Sequence, residues 1–163
     1  MQSRETIYLA LFNLLLGLVP SPQASGGVWA QQATGALSAS QPIAMMGRRF
    51  VPYARADIQP AICMLEVAEQ YTKSGRGAPP IQHLIAHLFL YTRDGANPNA
   101  VSAAGLNKIL DQIDAIMEPV AEEQTLGGLI TWARVTGRQS IYDAQTDLTQ
   151  ATTVIEIQML ATV

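Results

Sequence analysis

The stretch from Gln82 to Arg93 constrains the fold most, because it is the longest apolar run beyond the N-terminal region and nothing in it breaks a strand. Successive side chains of a strand point to opposite faces. One face would carry Leu84, Ala86, Leu88 and Leu90. The other face would carry His83, Ile85, His87, Phe89 and Tyr91. Both faces are largely apolar, which predicts the central strand of one sheet, covered on both sides.

The composition bounds the size of the chain and the classes of function that suit it. Its 163 residues suit one domain with a real core, and 48% of them are hydrophobic. Only 14% are charged, against the usual ~25%, which favours a protein that buries surface against partners. The net charge of −3 gives no electrostatic reason to expect nucleic-acid binding. Cys63 is the only cysteine, so no intrachain disulfide forms, which fits a reducing compartment.

The N-terminal region allows two interpretations. Arg4, an apolar stretch and small residues after it have the outline of a secretory signal peptide. The alternative is an amphipathic helix with Ser3 as its N-cap and Pro20 at its end. The apolar residues of that helix recur at helical spacing and are Ile7, Leu11, Leu14, Leu15 and Leu18. Glu5 and an internal Asn13 favour the helix over a cleaved signal, and the run is too short to span a bilayer.

Residues 21–47 are rich in Gly, Ser, Ala, Gln and Pro and almost free of charge. Trp29 is their one large anchor. The length exceeds that of an ordinary loop. Two interpretations remain open: a surface loop, or an arm or extended hairpin that orders against a neighbouring subunit.

The middle of the chain predicts a short edge strand and then a hairpin. Arg48–Tyr53 reads as the edge strand, because Pro52 lacks an N–H group. Ala61–Gln70 alternates, with Cys63, Leu65 and Val67 on one face, and a Gly- and Pro-rich turn joins it to the central strand.

The second half predicts one more helix and two more strands. The helix runs from about Ala100 to Met117, and its stripe is Leu106, Ile109, Leu110, Ile113, Ile116 and Met117. Ile130–Gly137 and Thr152–Val163 read as strands, the last with Glu156 and Gln158 facing out. The expected fold is a single α+β domain over residues 1–163, with one mostly antiparallel sheet and both helices packed on one face.

The residue types that carry chemistry do not combine into a site. His83 and His87 share a strand face but lie about 13 Å apart at ~3.3 Å per residue, too far for one metal ion. Cys63 has no local nucleophile motif, and the adjacent Glu122 and Glu123 diverge. Gly127-Gly128 lacks the spacing of a phosphate loop and suits a turn. We therefore expect no catalytic residue, no metal and no cofactor.

Several short motifs, in order, resemble the tail terminator (tail-completion) proteins of tailed bacteriophages. The motifs are Arg4-Glu5-Thr6-Ile7-Tyr8, Ile58-Gln59-Pro60-Ala61, LFLYTR at 88–93, LNKILDQI at 106–113, QTLGGL at 124–129 and Ile155-Glu156-Ile157. The last-but-one motif is the sharpest and precedes a strand that ends in Gly137. The resemblance covers most of the chain except residues 26–47.

The resemblance implies a non-enzymatic virion protein of the tail or neck, assembled in the host cytoplasm. Such a protein forms a ring, expected to be a homohexamer, on the head-proximal end of the tail tube. The ring stops tube growth and joins the tube to the head–tail connector. The implied partners are further copies of the chain, the tail tube protein and the connector protein, with DNA only as cargo passing through the lumen and no membrane. The alternatives are another neck or minor tail protein, a small enzyme that uses Cys63 or the histidines, or a secreted protein.

A ring needs surfaces that neighbouring subunits or the tail tube can bury. The odd-numbered face of the central strand has no third helix to cover it. The predicted interface with a subunit or the tail tube therefore consists of Trp29, His83, His87, Phe89 and Tyr91.

Overall fold

The computed structural model describes residues 3–18, 23–24, 32–34, 43, 45–48, 60–73, 75–93, 104–119, 123–142 and 150–162. They form two helices and seven strands. Helix α1 spans Arg4–Leu15 and continues as a 3₁₀ turn over Leu16–Leu18, and helix α2 spans Ala104–Met117. The strands are β1 (Gln23–Ala24), β2 (Gln32–Thr34), β3 (Met45–Gly47), β4 (Ala61–Thr72), β5 (Ile81–Arg93), β6 (Trp132–Tyr142) and β7 (Gln150–Thr162).

All seven strands belong to one sheet in the order β1-β2-β3-β4-β5-β7-β6. Neighbouring strands are antiparallel, except that β3 runs parallel to β4. Strand β5 pairs along its full length with β7 on one side and over Ile81–Tyr91 with β4 on the other. The predicted α+β fold with a mostly antiparallel sheet and a central Ile81–Arg93 strand is therefore confirmed.

The main core lies between the helices and one face of the sheet. The even-numbered side chains of β5 that the alternation assigned to this face, Leu84, Ala86, Leu88 and Leu90, are all fully buried. On β7 the residues facing them in the same core are Ile155, Ile157 and Met159. Because strand side chains alternate, this burial leaves the odd-numbered positions of β5 on the opposite face.

Helix α1 begins where its sequence provides a cap. The Ser3 hydroxyl accepts a hydrogen bond from the Thr6 backbone N–H at 3.1 Å, which satisfies one of the free donors of the first turn. The helix buries an apolar stripe against the sheet, namely Ile7, Tyr8, Leu11, Phe12 and Leu15. The predicted amphipathic helix is present, and it is an integral part of the core.

Two arginines tie α1 to β4 at the edge of the helical layer. Arg48 binds both carboxylate oxygens of Glu5, at 2.7 and 2.9 Å, and also pairs with Glu66. Arg4 pairs with Glu69 and donates to the Tyr71 hydroxyl at 2.6 Å. The Arg4 side chain is exposed, so its ion pair contributes little free energy, whereas the Arg48 side chain is only 11% exposed. Both sets of contacts orient the helix against β4.

Helix α2 buries the predicted stripe and is joined to β6 by the glycine-rich turn. Leu106, Ile109, Ile113 and Met117 are buried, and Leu110 and Ile116 pack beside them. The Gln124 side-chain amide donates to the Ile116 carbonyl at 2.9 Å, and its oxygen accepts from the Leu126 N–H at 3.1 Å. Gly127 and Gly128 both have positive φ angles, which explains why glycines stand here.

Two β-bulges interrupt the alternation of side chains between the two faces of the sheet. In β4 the register shifts between Glu66 and Ala68, and in β6 it shifts between Val135 and Gly137. The expectation that Val67 continues the face of Cys63 and Leu65 is therefore wrong. After the bulge it is Ala68 that pairs with Ile85 on that face.

The described parts of residues 21–47, apart from Ile43, belong to the sheet. Strands β1 and β2 pair as an antiparallel ladder, and β2 pairs with β3. Ile43, Met45 and Met46 are buried. The sheet strand ends at Gly47, before the predicted Arg48–Tyr53 strand, and residues 49–53 of that prediction lie outside the described residues. The loop or arm over the rest of 21–47 stays a prediction.

Truncation of a helix-facing residue of β5 tests the assignment of the two faces. We expect Leu88→Ala to reduce the free energy of unfolding by about 2–5 kcal/mol, because it leaves a cavity in a fully buried position. Urea unfolding of dilute, monomeric protein measures this change. The matched control is Ile85→Ala on the same strand, which faces away from the helices and should cost clearly less. Equal losses would contradict the assignment.

Candidate functional site

The side of the sheet away from the helices forms a broad surface, which we call the open face. In the part of the chain that the structure describes, both helices pack on the other side. The open face carries half-buried apolar side chains from three neighbouring strands, namely Leu65, Ile81, Ile85, Phe89, Val154 and Leu160. Isolated exposed apolar residues are ordinary, but a contiguous set across several strands is typical of an interaction surface.

The predicted interface residues divide into three groups. His83, His87 and Phe89 lie on the open face and are half-buried. Tyr91 lies on the same side of β5 but is only 1% exposed, so it departs from the expected half-exposed face. Trp29 lies outside the described residues. The structure therefore brings three of the five predicted residues together on an accessible surface.

Tyr91 is buried because this end of the sheet forms a second, smaller core. The residues of that core are Met45, Ala61, Cys63 and Tyr91, with Phe89 packed against them. Burial raises the pKa of the Tyr91 hydroxyl to about 12, and the neighbouring Cys63 adds to the shift. Cys63 itself is fully buried, so its thiol offers no surface that a substrate could reach.

A polar cluster interrupts the apolar surface at the centre of the open face. The Glu156 carboxylate accepts hydrogen bonds from the Thr136 hydroxyl at 2.7 Å and from the Gln158 amide at 2.9 Å. Its other oxygen lies 3.5 Å from Nε2 of His87, the residue directly opposite in the β5·β7 register. The bulge in β6 supplies Thr136, since this extra residue lies beside Gly137, the partner of Glu156.

The electrostatics of this cluster favour a charged carboxylate. The hydrogen bond from Thr136 and then that from Gln158 hold the pKa of Glu156 below its usual range, and His87 adds to the shift. The Thr136 hydroxyl and the Gln158 amide both donate to the same oxygen of the carboxylate. Within the described ranges, no three His, Cys, Asp or Glu side chains come together as a metal-binding group. The cluster presents a charged carboxylate and hydrogen-bonding groups at the surface, which a partner can recognise.

An arginine–tryptophan pair lies at the β6 side of the open face. Trp132 pairs with Leu160 and Arg134 with Gln158, so both face the same way as the polar cluster. The Arg134 guanidinium lies 5.1 Å from the centre of the Trp132 ring and also pairs with Glu123. Aromatic residues and arginines of this kind are enriched where proteins bind each other.

Sequence reasoning placed the interface on β5 and missed the neighbouring strands. Glu156 and Gln158 were predicted to face out, which is correct, but the interface was not extended to them. The alternation of the last strand was a usable signal. If that strand pairs with the central strand, its outward-facing residues lie on the same face as His87. Thr136 had no signal, since a bulge cannot be recognised from apolar alternation.

The chain matches no protein-family model, and no curated protein is significantly similar to it. No helix among the described residues is long and apolar enough to cross a bilayer.

Replacing Thr136 by Val tests the polar cluster. The change removes the hydrogen bond that lowers the pKa of Glu156 most, so this pKa should rise toward its ordinary value, as measured by NMR titration of the carboxyl carbon. A carboxylate with a lowered pKa stabilises the fold above the unfolded-state pKa, and this contribution is lost as the pH falls through the folded-state pKa. The difference in unfolding free energy between wild type and variant should therefore shrink on acidification.

Thr131→Val is the matched control, because the Thr131 hydroxyl bonds Thr162 at 3.0 Å and does not touch the cluster. It should leave the pKa of Glu156 unchanged. An equal pKa of Glu156 in wild type, Thr136→Val and Thr131→Val would show that Thr136 does not bond the carboxylate.

Proposed function

We propose that this protein is a non-enzymatic virion structural protein of a tailed bacteriophage, a tail terminator. In this proposal copies of the chain form a ring that caps the head-proximal end of the tail tube, stops its growth and joins it to the head–tail connector. The ordered motifs that resemble this family support the proposal. Their positions agree with the fold, because the QTLGGL motif forms the turn between α2 and β6 and the LNKILDQI motif lies in α2.

The observation that carries the proposal is the open face. One side of the sheet is sealed by both helices, whereas the other presents half-buried apolar residues with a central polar cluster in the described part of the chain. A monomer gains nothing from such a surface, and a subunit of an assembly buries it. The 14% of charged residues agrees with a chain that buries much of its surface against partners.

Two parts of the open face have distinct roles in this proposal. The apolar residues Ile85, Phe89 and Val154 supply the area that a neighbouring subunit or the tail tube removes from water. The cluster of His87, Glu156 and Thr136 supplies hydrogen-bonding groups that fix the orientation of that partner. His83, one of the predicted residues, extends the surface toward the end of β5 near Ile81.

The remaining partners follow from the same proposal. The connector protein would bind the side of the ring opposite the tube, and DNA would pass through the lumen as cargo. The net charge of −3 agrees with a lumen to which DNA does not adhere. The protein would act in the tail or neck of the virion after assembly in the host cytoplasm.

Light scattering coupled to size exclusion tests the ring. We expect the purified protein to show a mass several times the 17.6 kDa of the chain, corresponding to a hexamer, and negative-stain images to show a ring with a central hole. A stable monomer at high concentration would contradict the proposal. So would a position of the gene far from genes for capsid and tail-tube proteins.

The open face is tested by the variant Ile85→Asp, which places a charge in its apolar surface. This variant should fold but lose binding to the tail tube or to its neighbours, as measured by co-sedimentation with tubes and by the mass of the particle. Asn107→Asp is the matched control, because Asn107 is exposed on α2, away from the sheet. Equal behaviour of both variants and wild type would exclude the open face as an interface.

A further inference from the structure

The sheet has two long edges that lack strand partners among the described residues. Strand β3 covers β4 only at Ala61–Cys63, so the outer side of Leu65–Thr72 is open in this part of the chain. Strand β6 is the last strand on the other side. There the Ala133 N–H donates to the Gln124 carbonyl at 2.7 Å, and the described chain places no strand beyond that contact. An open edge presents a row of backbone donors and acceptors to another strand.

The directions of the strands make the two edges compatible. Strands β4, β5, β7 and β6 alternate strictly, because each neighbouring pair is antiparallel. A second copy placed edge to edge in the same orientation would therefore set its β6 antiparallel to β4. Because β3 occupies the outer side of Ala61–Cys63 and Gln124 that of Ala133, the joint that rearranges neither sheet is a staggered one, which pairs Leu65–Thr72 with Val135–Tyr142. Antiparallel pairing is also the slightly more stable kind of ladder.

The side chains at the two edges differ in charge. Leu65–Thr72 carries Glu66 and Glu69 and no cation, whereas Trp132–Tyr142 carries Arg134 and Arg138 and no anion. Each of these charged side chains already forms an ion pair within the chain. Their effect on a second copy is therefore to favour one relative orientation of the two edges. Glu66, Glu69 and Arg138 lie on the helix side of the sheet, and Arg134 lies on the open face. Joining β4 to β6 brings unlike charges together on the helix side, whereas joining an edge to its own copy brings like charges together, which is unfavourable.

The β4 edge also carries the exposed apolar side chains. Among the described residues, the large hydrophobic side chains with the greatest exposure are Val67 at 47% and Tyr71 at 50%. Both belong to the open segment of β4, and Val67 is the bulged residue. A strand added at this edge would remove apolar area from water beside both residues. The bulges bend both edges, which limits the registers that a partner strand can adopt.

We propose that the β4 edge of one subunit pairs antiparallel with β6 of the next copy of this chain, and that this joint, repeated, closes the ring. The inference rests on the proposed ring and names the surface that forms it. The joint is heterologous, because each subunit contributes a different edge to each of its two neighbours. The open face then remains available to the tail tube.

Cross-linking between single cysteines tests the joint. Ala68 is exposed, and a side chain added at Gly137 meets no atom within 4 Å, so both positions accept a cysteine. When the free segments Leu65–Thr72 and Val135–Tyr142 face each other with matching side-chain alternation, Ala68 aligns with Gln139, which places Gly137 two residues away, about 7 Å along the strand. A bismaleimide linker that spans this distance is added to wild type, Ala68→Cys, Gly137→Cys, the double variant and the two co-expressed single variants. Wild type controls for the buried Cys63.

We expect the double variant to yield a ladder of linked species that ends at the ring mass. The co-expressed single variants should yield dimers only, and each single variant alone should remain unlinked. A dimer from either single variant alone would overturn the proposal, because it would show an edge paired with its own copy. A double variant that keeps the ring mass in light scattering yet does not cross-link would also overturn the joint while leaving the ring intact. A monomeric wild type would overturn the proposed function itself.

Discussion

The double pairing of β5 is the constraint on which the rest of the structure depends. Thirteen register pairs join it to β7, and a nearly continuous ladder joins it to β4. A slip of one residue would move Leu84, Leu88 and Leu90 from the core to the opposite face. Because both helices pack on these residues, the register of β5 determines which side of the sheet is sealed. It thereby also determines which side chains form the open face.

Much of this arrangement could be predicted from the sequence because it depends on local periodicity. The Ser3 cap, the stripe of α2 and the alternation of β7 all express a period that a single segment reveals. The bulges at Val67 and Thr136 could not be predicted, since an extra residue in a strand leaves no mark in composition. The burial of Tyr91 was equally hidden, because it depends on Met45 and Ala61, which are distant in sequence.

The candidate site likewise has one part that local periodicity predicts and another part that depends on long-range strand pairing. The apolar part of the open face follows from the alternation of β5, so His83, His87 and Phe89 were correctly placed together on one strand face. The polar cluster requires that Glu156 and Thr136 come from two other strands, in a register that is fixed by long-range pairing. Sequence periodicity specifies a face, but pairing specifies its neighbours.

A closed ring needs two unlike surfaces on each subunit, and a further surface for whatever the ring binds. An antiparallel sheet with one sealed side separates these tasks in space. Its edges offer backbone groups, which bind another strand with little regard to side chains, whereas its open face offers side chains, which select a partner. If copies join at their edges, the helices and the open face must lie on opposite walls of the assembly.

On the open face Glu156 lies beside His87, and Arg134 lies beside Glu123. Because these charges are paired, the open face has a weak electrostatic field. Such a surface suits contact with a protein better than attraction of DNA.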